Sequence, residues 1–202
     1  MKDISKFNRI ILLFTGILAG YEIVSGVEGY PSHVIIFLTI SFGVLLLACL
    51  LLIFLGFEIL EKPIVVTIAT MLPLGISAAI IALRIPFLLV SYLSIELVGF
   101  LAIILSRFLT TKKAAIISIS LVQSITGIII VVIPIFSLLT ESKRPHFYMV
   151  SFGGALIGLG GLLLFFLKTE RPLLSRKQIY TLFPTLLFFT TILFIVGFSN
   201  SM

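Results

Sequence analysis

Tryptophan is absent from this chain of 202 residues, cysteine occurs once, histidine twice, and Asp and Glu together eight times. Each scarcity removes a class of chemistry. Cys49 stands alone inside an apolar run, so neither a disulfide framework nor a cysteine-rich metal site can form within one chain. His33 and His146 both fall between apolar segments, which leaves no histidine pair at membrane depth to hold a haem or a catalytic zinc. No HExxH, GxSxG or Ser/His/Asp pattern occurs, and the glycines between Gly153 and Gly161 have no basic residue beside them to make a phosphate loop. Glu58 and Glu61, next to Lys62, are a thin case for lipid-phosphate chemistry and read more simply as a solvated helix end. The sequence therefore predicts no catalytic residue, no metal and no cofactor.

What is present is apolar. Hydrophobic residues make up 60% of the chain and charged residues 11%, against roughly 45–50% apolar residues in soluble domains; the mean hydropathy is +1.32. That composition excludes a water-soluble fold. At about 20 apolar residues per crossing, the length holds six to eight spans with short connections and no room for a soluble domain. The expected fold class is all-α, a polytopic membrane bundle of about seven helices forming one transmembrane domain over residues 1–202.

Windows of about 19 residues pick out seven apolar segments, at 10–26, 34–57, 63–83, 86–106, 114–139, 147–167 and 179–198. Pro63 and Pro86 sit where proline is tolerated, in a first helical turn, and mark helix starts. The net charge of +6 does not form a continuous basic patch, so nucleic acid is not an expected partner. The basic residues act instead as topology signals. With the N-terminus inside, the cytoplasmic connections carry Lys2, Lys6, Arg9, Lys62, Arg107, Lys112, Lys113, Lys168, Arg171, Arg176 and Lys177, while Arg84, Lys143 and Arg144 fall outside. This partition of the 14 basic residues predicts a cytoplasmic N-terminus and an external C-terminus. Residues 1–20 also resemble a secretory signal, but the orientation requires the first span to stay, so it reads as an uncleaved anchor. Tyr30 and Tyr148 at the outer interface and Tyr180 at the inner one are expected to supply the aromatic belt. A prokaryotic inner or plasma membrane is the expected location, with the lipid bilayer as the main partner.

Depth follows from about 1.5 Å of rise per residue. Glu96 lies ten residues after Pro86 and eleven before Arg107, near the bilayer centre. An ionised carboxylate there costs about 2.5–3.5 kcal/mol on insertion scales, so it is either protonated or turned toward partners and water. Gln123 reaches the same depth on span five, where Ser120, Gln123, Ser124 and Gly127 make one polar stripe at helical spacing. On span three, Pro73 is flanked by Thr70 and Ser77, and it frees a backbone carbonyl one turn earlier. Tyr92 extends the polar face of span four. Glu96, Gln123, Tyr92, Thr70 and Ser77 are thus the candidate substrate or ion pathway, expected to meet in one hydrogen-bonded cluster. Glu22, in the outer half of span one, is a further candidate and reads more readily as an acid reaching the outer interface. Pro134 and Pro184 are expected to kink spans five and seven.

Small residues form a second pattern. Gly16 and Gly20 make GxxxG on span one, and Gly154, Gly158 and Gly161 share a face of span six. Such faces allow close helix approach, either inside the bundle or in a homo- or hetero-oligomer through spans one or six. Two triplets of spans around a linker span would match a known transporter plan, although no residue match between the triplets supports it at this stage. Three classes of function remain. A small transporter or exporter coupled to protons or cations rests on the midplane acid; a non-catalytic subunit assembling a larger complex rests on the short loops and small-residue faces; a seven-span sensor or intramembrane enzyme comes third. The last span carries no lysine for retinal.

Overall fold

The structure, a computed structural model, describes residues 4–26, 29–109, 112–140, 146–166 and 175–199. Among the described residues seven α-helices fall on the seven apolar segments: α1 Lys6–Ser25, α2 Ser32–Leu55, α3 Pro63–Arg84, α4 Leu89–Leu109, α5 Lys112–Thr140, α6 Met149–Phe166 and α7 Arg176–Phe198. No strand occurs among the described residues. Six of these helices are long and apolar enough to cross a membrane by length and composition, and α6 contributes a shorter apolar run, Met149–Leu163. Lys2, Lys143, Arg144, Lys168 and Arg171, part of the basic-residue count above, lie outside the described residues.

Local chemistry sets the helix ends. The Ser5 hydroxyl accepts from the Asn8 amide at the start of α1, and Ser175 with Gln178 makes a capping box at the start of α7. Gly26 and Gly56 take positive φ, 65° and 78°, and stop α1 and α2 in a backbone conformation that side-chain-bearing residues rarely adopt. Pro63 opens α3 as its first residue, and Pro86 opens a single 3-10 turn, Pro86–Leu88, that runs into α4. Pro73, Pro134 and Pro184 lie inside α3, α5 and α7.

Most of the helices form a closed circuit. Helix α1 packs on α2, α2 on α3, α3 on α5, α5 on α6, α6 on α7, and α7 returns to α1. Helix α4 stands outside this circuit, packed on α3 and α5. Burial follows the arrangement: 67% of the apolar window of α3 is buried inside the protein, against 11% for α4. One apolar core joins Leu12 and Ala19 of α1 to Phe42 and Cys49 of α2, Ile76 and Ile80 of α3, Ile130 of α5, Val150 of α6 and Phe194 of α7. At one end of the bundle, Asn8 Nδ2 donates to the Tyr180 carbonyl at 3.0 Å, and Tyr180 stacks on Phe57 with ring centroids 4.5 Å apart. At the other, the Arg84 guanidinium lies 4.4 Å over the Phe147 ring. Tyr30 and Tyr180 are thus engaged in the bundle, and Tyr30 is buried in its core.

Glycine spacing predicts some of the close approaches and misses others. Gly16 faces Leu46 and Cys49 of α2, with room for a methyl only at 3.4 and 3.6 Å, and Gly20 faces Leu46. Gly154 is pressed against Ile130 and Val131 of α5, whereas Gly158 and Gly161 are exposed with nothing near them. A close α2–α3 approach lies at Gly75, where an added Cβ would meet Ser41 Oγ and lie 2.7 Å from the Phe37 carbonyl. Ser41 Oγ reaches both the Phe37 carbonyl of its own helix and the Leu72 carbonyl of α3, at 2.9 and 3.1 Å. Gly75 and Ala79 make a small-residue pair at a spacing of four on α3, which the glycine-only patterns pass over.

The circuit also exposes residue matches that a linear reading passes over. Thr15-Gly16-Ile17 of α1 recurs as Thr126-Gly127-Ile128 of α5, and Ile68, Thr70 and Pro73 of α3 recur as Ile179, Thr181 and Pro184 of α7, both at a spacing of 111 residues. The run Leu50-Leu51-Leu52-Ile53-Phe54-Leu55 recurs one residue further on as Leu162 to Leu167 with a single change, Ile53 to Phe165.

Candidate functional site

Tyr92 and Glu96 lie one turn apart on α4 and therefore share a face. The near-immediate turn at Ile85 folds α4 back along α3 and sets that face against the middle of α3. There Ser77 Oγ lies 2.9 Å from Glu96 Oε1. The same hydroxyl is 2.7 Å from the Pro73 carbonyl and 2.9 Å from that of Leu74. A serine has one proton to give, so these contacts define two settings. With Glu96 ionised, Ser77 donates to the carboxylate. With Glu96 protonated, the acid can donate to Ser77 Oγ while Ser77 donates to the Pro73 or Leu74 carbonyl. The Tyr92 hydroxyl lies beside both groups. It is buried.

Glu96 and Tyr92 open on a cleft of about 310 Å³ between α4 and α5, which Leu74 of α3 also lines, whereas Ser77 is fully buried and does not line it. Small residues make the space: Gly99 and Ala102 on α4 and Ser118 on α5. Below and beside it the helices touch, since a methyl added at Gly99 would come within 2.9 Å of Val122 Cγ2. The rim consists of Ile95, Val98, Ile117, Leu121 and Ile125, all exposed on the outer surface of the bundle. The cleft therefore opens sideways, across the flank that an apolar solvent would cover, and no Lys or Arg is among the described residues that line it.

The structure gathers part of the expected cluster and scatters the rest. Glu96, Ser77 and Tyr92 come together. Gln123 does not join them: it is exposed on α5, as are Ser120 and Ser124, while Val122 and Thr126 turn to the cleft. Thr70 is buried on α3, where its hydroxyl donates to the Thr67 carbonyl at 2.6 Å. Glu22 lies on the buried face of α1 with Asn8, Leu12, Thr15 and Ala19, and is turned inward rather than to an interface. The residues missed from sequence are Gly99, Ala102, Ser118 and Thr126. The available signal was the run Val122, Thr126, Ile130, Pro134, which marks the buried edge of α5 at a spacing of four. Among the described residues no three of His, Cys, Asp or Glu are grouped to hold a metal ion. Comparison with known protein families, curated proteins and solved structures gives no match.

Proposed function

We propose that the chain is a small membrane transporter or exporter coupled to protons or cations, with Glu96 as the group that changes charge. The observation that carries this reading is that Glu96, hydrogen-bonded to Ser77, lines a cleft with no basic residue among its described lining. A purely structural carboxyl at membrane depth is expected to be sealed by packing or paired with a cation. This one borders open space instead, beside a hydroxyl that can serve either protonation state. The exposed apolar surface of the helices, including Val24, Phe54, Phe87 and Val90, agrees with lipid around the bundle. The distribution of basic residues supports a cytoplasmic N-terminus.

The test is flux through purified protein in lipid vesicles carrying an imposed proton gradient, with a trapped pH-sensitive dye and Na+, K+ or organic cations added outside. Wild-type protein should couple cation entry to proton exit. Glu96→Gln, folded by circular dichroism and size-exclusion chromatography, should abolish that coupling. Equal coupled flux in the variant would remove Glu96 from the pathway.

A second reading, a non-catalytic subunit of a larger assembly, is favoured by one observation. Ser120, Gln123 and Ser124 present a polar stripe on the exterior of α5, and polar side chains within a membrane associate helices by hydrogen bonding. Extraction in mild detergent should then recover a stoichiometric partner. A lone chain would count against it.

A further inference from the structure

We infer that the α4–α5 cleft binds a small amphiphilic amine that enters sideways from the lipid. The inference rests on the transport reading and names the substrate class of the same site. The walls and the floor of the cleft differ in chemistry. Ile95, Val98, Ile117 and Leu121 supply apolar walls reaching the outer surface, whereas Glu96 and Tyr92 line the cleft one helical turn apart, with Ser77 hydrogen-bonded to Glu96. A matching ligand has one polar head and one apolar body. Tyr92 adds to the polar end of the cleft, because its buried hydroxyl lies beside Glu96 and Ser77.

The head group follows from charge. The polar groups among the described lining residues are the Glu96 carboxyl and the hydroxyls of Tyr92, Ser118 and Thr126, with no basic residue among them. A protonated amine can place its charge on the Glu96 carboxylate and donate a further proton to the Tyr92 oxygen. A carboxylate or phosphate head would meet the carboxyl without a compensating cation. Size sets the body. At about 310 Å³ the cleft is at the small end of ligand sites, which span roughly 300–1,000 Å³, so a short single chain or one ring fits and a two-chain lipid does not. Binding also supplies the coupling. When an ammonium head binds the protonated site, the carboxyl O–H bond breaks, the proton leaves, and the carboxylate is left paired with the ammonium. One amine therefore exchanges for one proton with charge conserved.

Equilibrium dialysis of the full-length protein in neutral detergent, with radiolabelled octylamine, octanol and octanoate as probes, tests the assignment. Octylamine should bind best and octanoate worst. Glu96→Gln should weaken octylamine by about tenfold or more, the effect of losing a charge-assisted bond, and leave octanol little changed. Ala102→Phe, which fills the cleft from α4, should weaken both. Ser118→Phe fills it from α5 and serves if the first variant does not fold. Octanoate binding as tightly as octylamine, or octylamine binding unaffected by Glu96→Gln, would overturn the inference. The two readings separate cleanly. Proton-coupled cation flux dependent on Glu96 without octylamine binding would overturn the amine assignment and leave transport standing. Octylamine binding without amine-driven proton release from vesicles would overturn transport and leave the site.

Discussion

Single atoms decide two features of this bundle. Ser77 Oγ is the hydrogen-bond donor to the Glu96 carboxyl, and it can instead turn back to the Pro73 carbonyl. Ser77→Ala should therefore leave α3 intact, because the carbonyl it releases stays in a helix, but strip the acid of its partner. Removing one member of such a pair costs about 1–3 kcal/mol. Coupled flux in vesicles should fall while the far-ultraviolet circular dichroism stays unchanged. Full flux in Ser77→Ala would show that the hydroxyl takes no part in the site. Gly75 is the second feature. A side chain there meets Ser41 Oγ and the Phe37 carbonyl, one of which belongs to the backbone and cannot swing aside. Gly75→Val should force α2 and α3 apart and destabilise the fold by about 1–3 kcal/mol, the usual range for overpacking. Gly158→Val, at an open position, should have little effect. Unfolding in mixed micelles measures both, and equal stability of the two variants would contradict the close α2–α3 approach.

Helix positions were legible because hydropathy and punctuation measure the same thing in a membrane chain. The segment 63–83 became Pro63–Arg84, bounded by a proline the spacing had marked, and 147–167 became Met149–Phe166. Which face of each helix turns inward was much less legible. In water an apolar stripe identifies the buried face; in lipid the outside is as apolar as the inside, so the stripe carries little direction. On α5 the polar residues Ser120, Gln123 and Ser124 mark a real face, yet it is the exposed one, and the buried edge is led by Val122 and Thr126. Glu96 and Ser77 could be placed together because both lie midway along helices joined by a very short turn, a constraint of chain connection and not of polarity. The difference between faces is measurable. Gln123→Leu should change stability by no more than about 0.5 kcal/mol, as for a surface position without partners. Thr126→Gln, placing a larger amide at the buried edge, should destabilise by more than 1 kcal/mol. A marked loss in Gln123→Leu together with tolerance of Thr126→Gln would reverse the assignment of faces.

At the scale of the whole chain, the packing circuit keeps its form when α1, α2 and α3 are exchanged for α5, α6 and α7: the α1–α7 contact becomes α5–α3, and the neighbour contacts map onto each other. The recurring Thr-Gly-Ile and Ile-x-Thr-x-x-Pro matches, both at a spacing of 111 residues, follow the same exchange. Two three-helix units joined through α4 account for both, and for the position of α4 outside the circuit. Seven helices in alternation give this plan a consequence that labelling can read. In a Cys49→Ala background, single cysteines at Ser32, Lys62, His146 and Ser175 occupy exposed positions at the helix ends. Four helices separate Ser32 from His146, so those two must react from the same side. On the proposed orientation that side is the outside, so an impermeant maleimide should label both on intact cells, with Lys62→Cys and Ser175→Cys reacting only after permeabilisation. The decisive position is Ser175. It changes side only if α6 crosses, and α6 has the shortest apolar run, Met149–Leu163. If α6 did not cross, Lys168, Arg171, Arg176 and Lys177 would all move outside and the charge asymmetry that orients the chain would vanish. Labelling of Ser175→Cys together with His146→Cys on intact cells would therefore reduce the count to six spans and remove the basis for the proposed orientation.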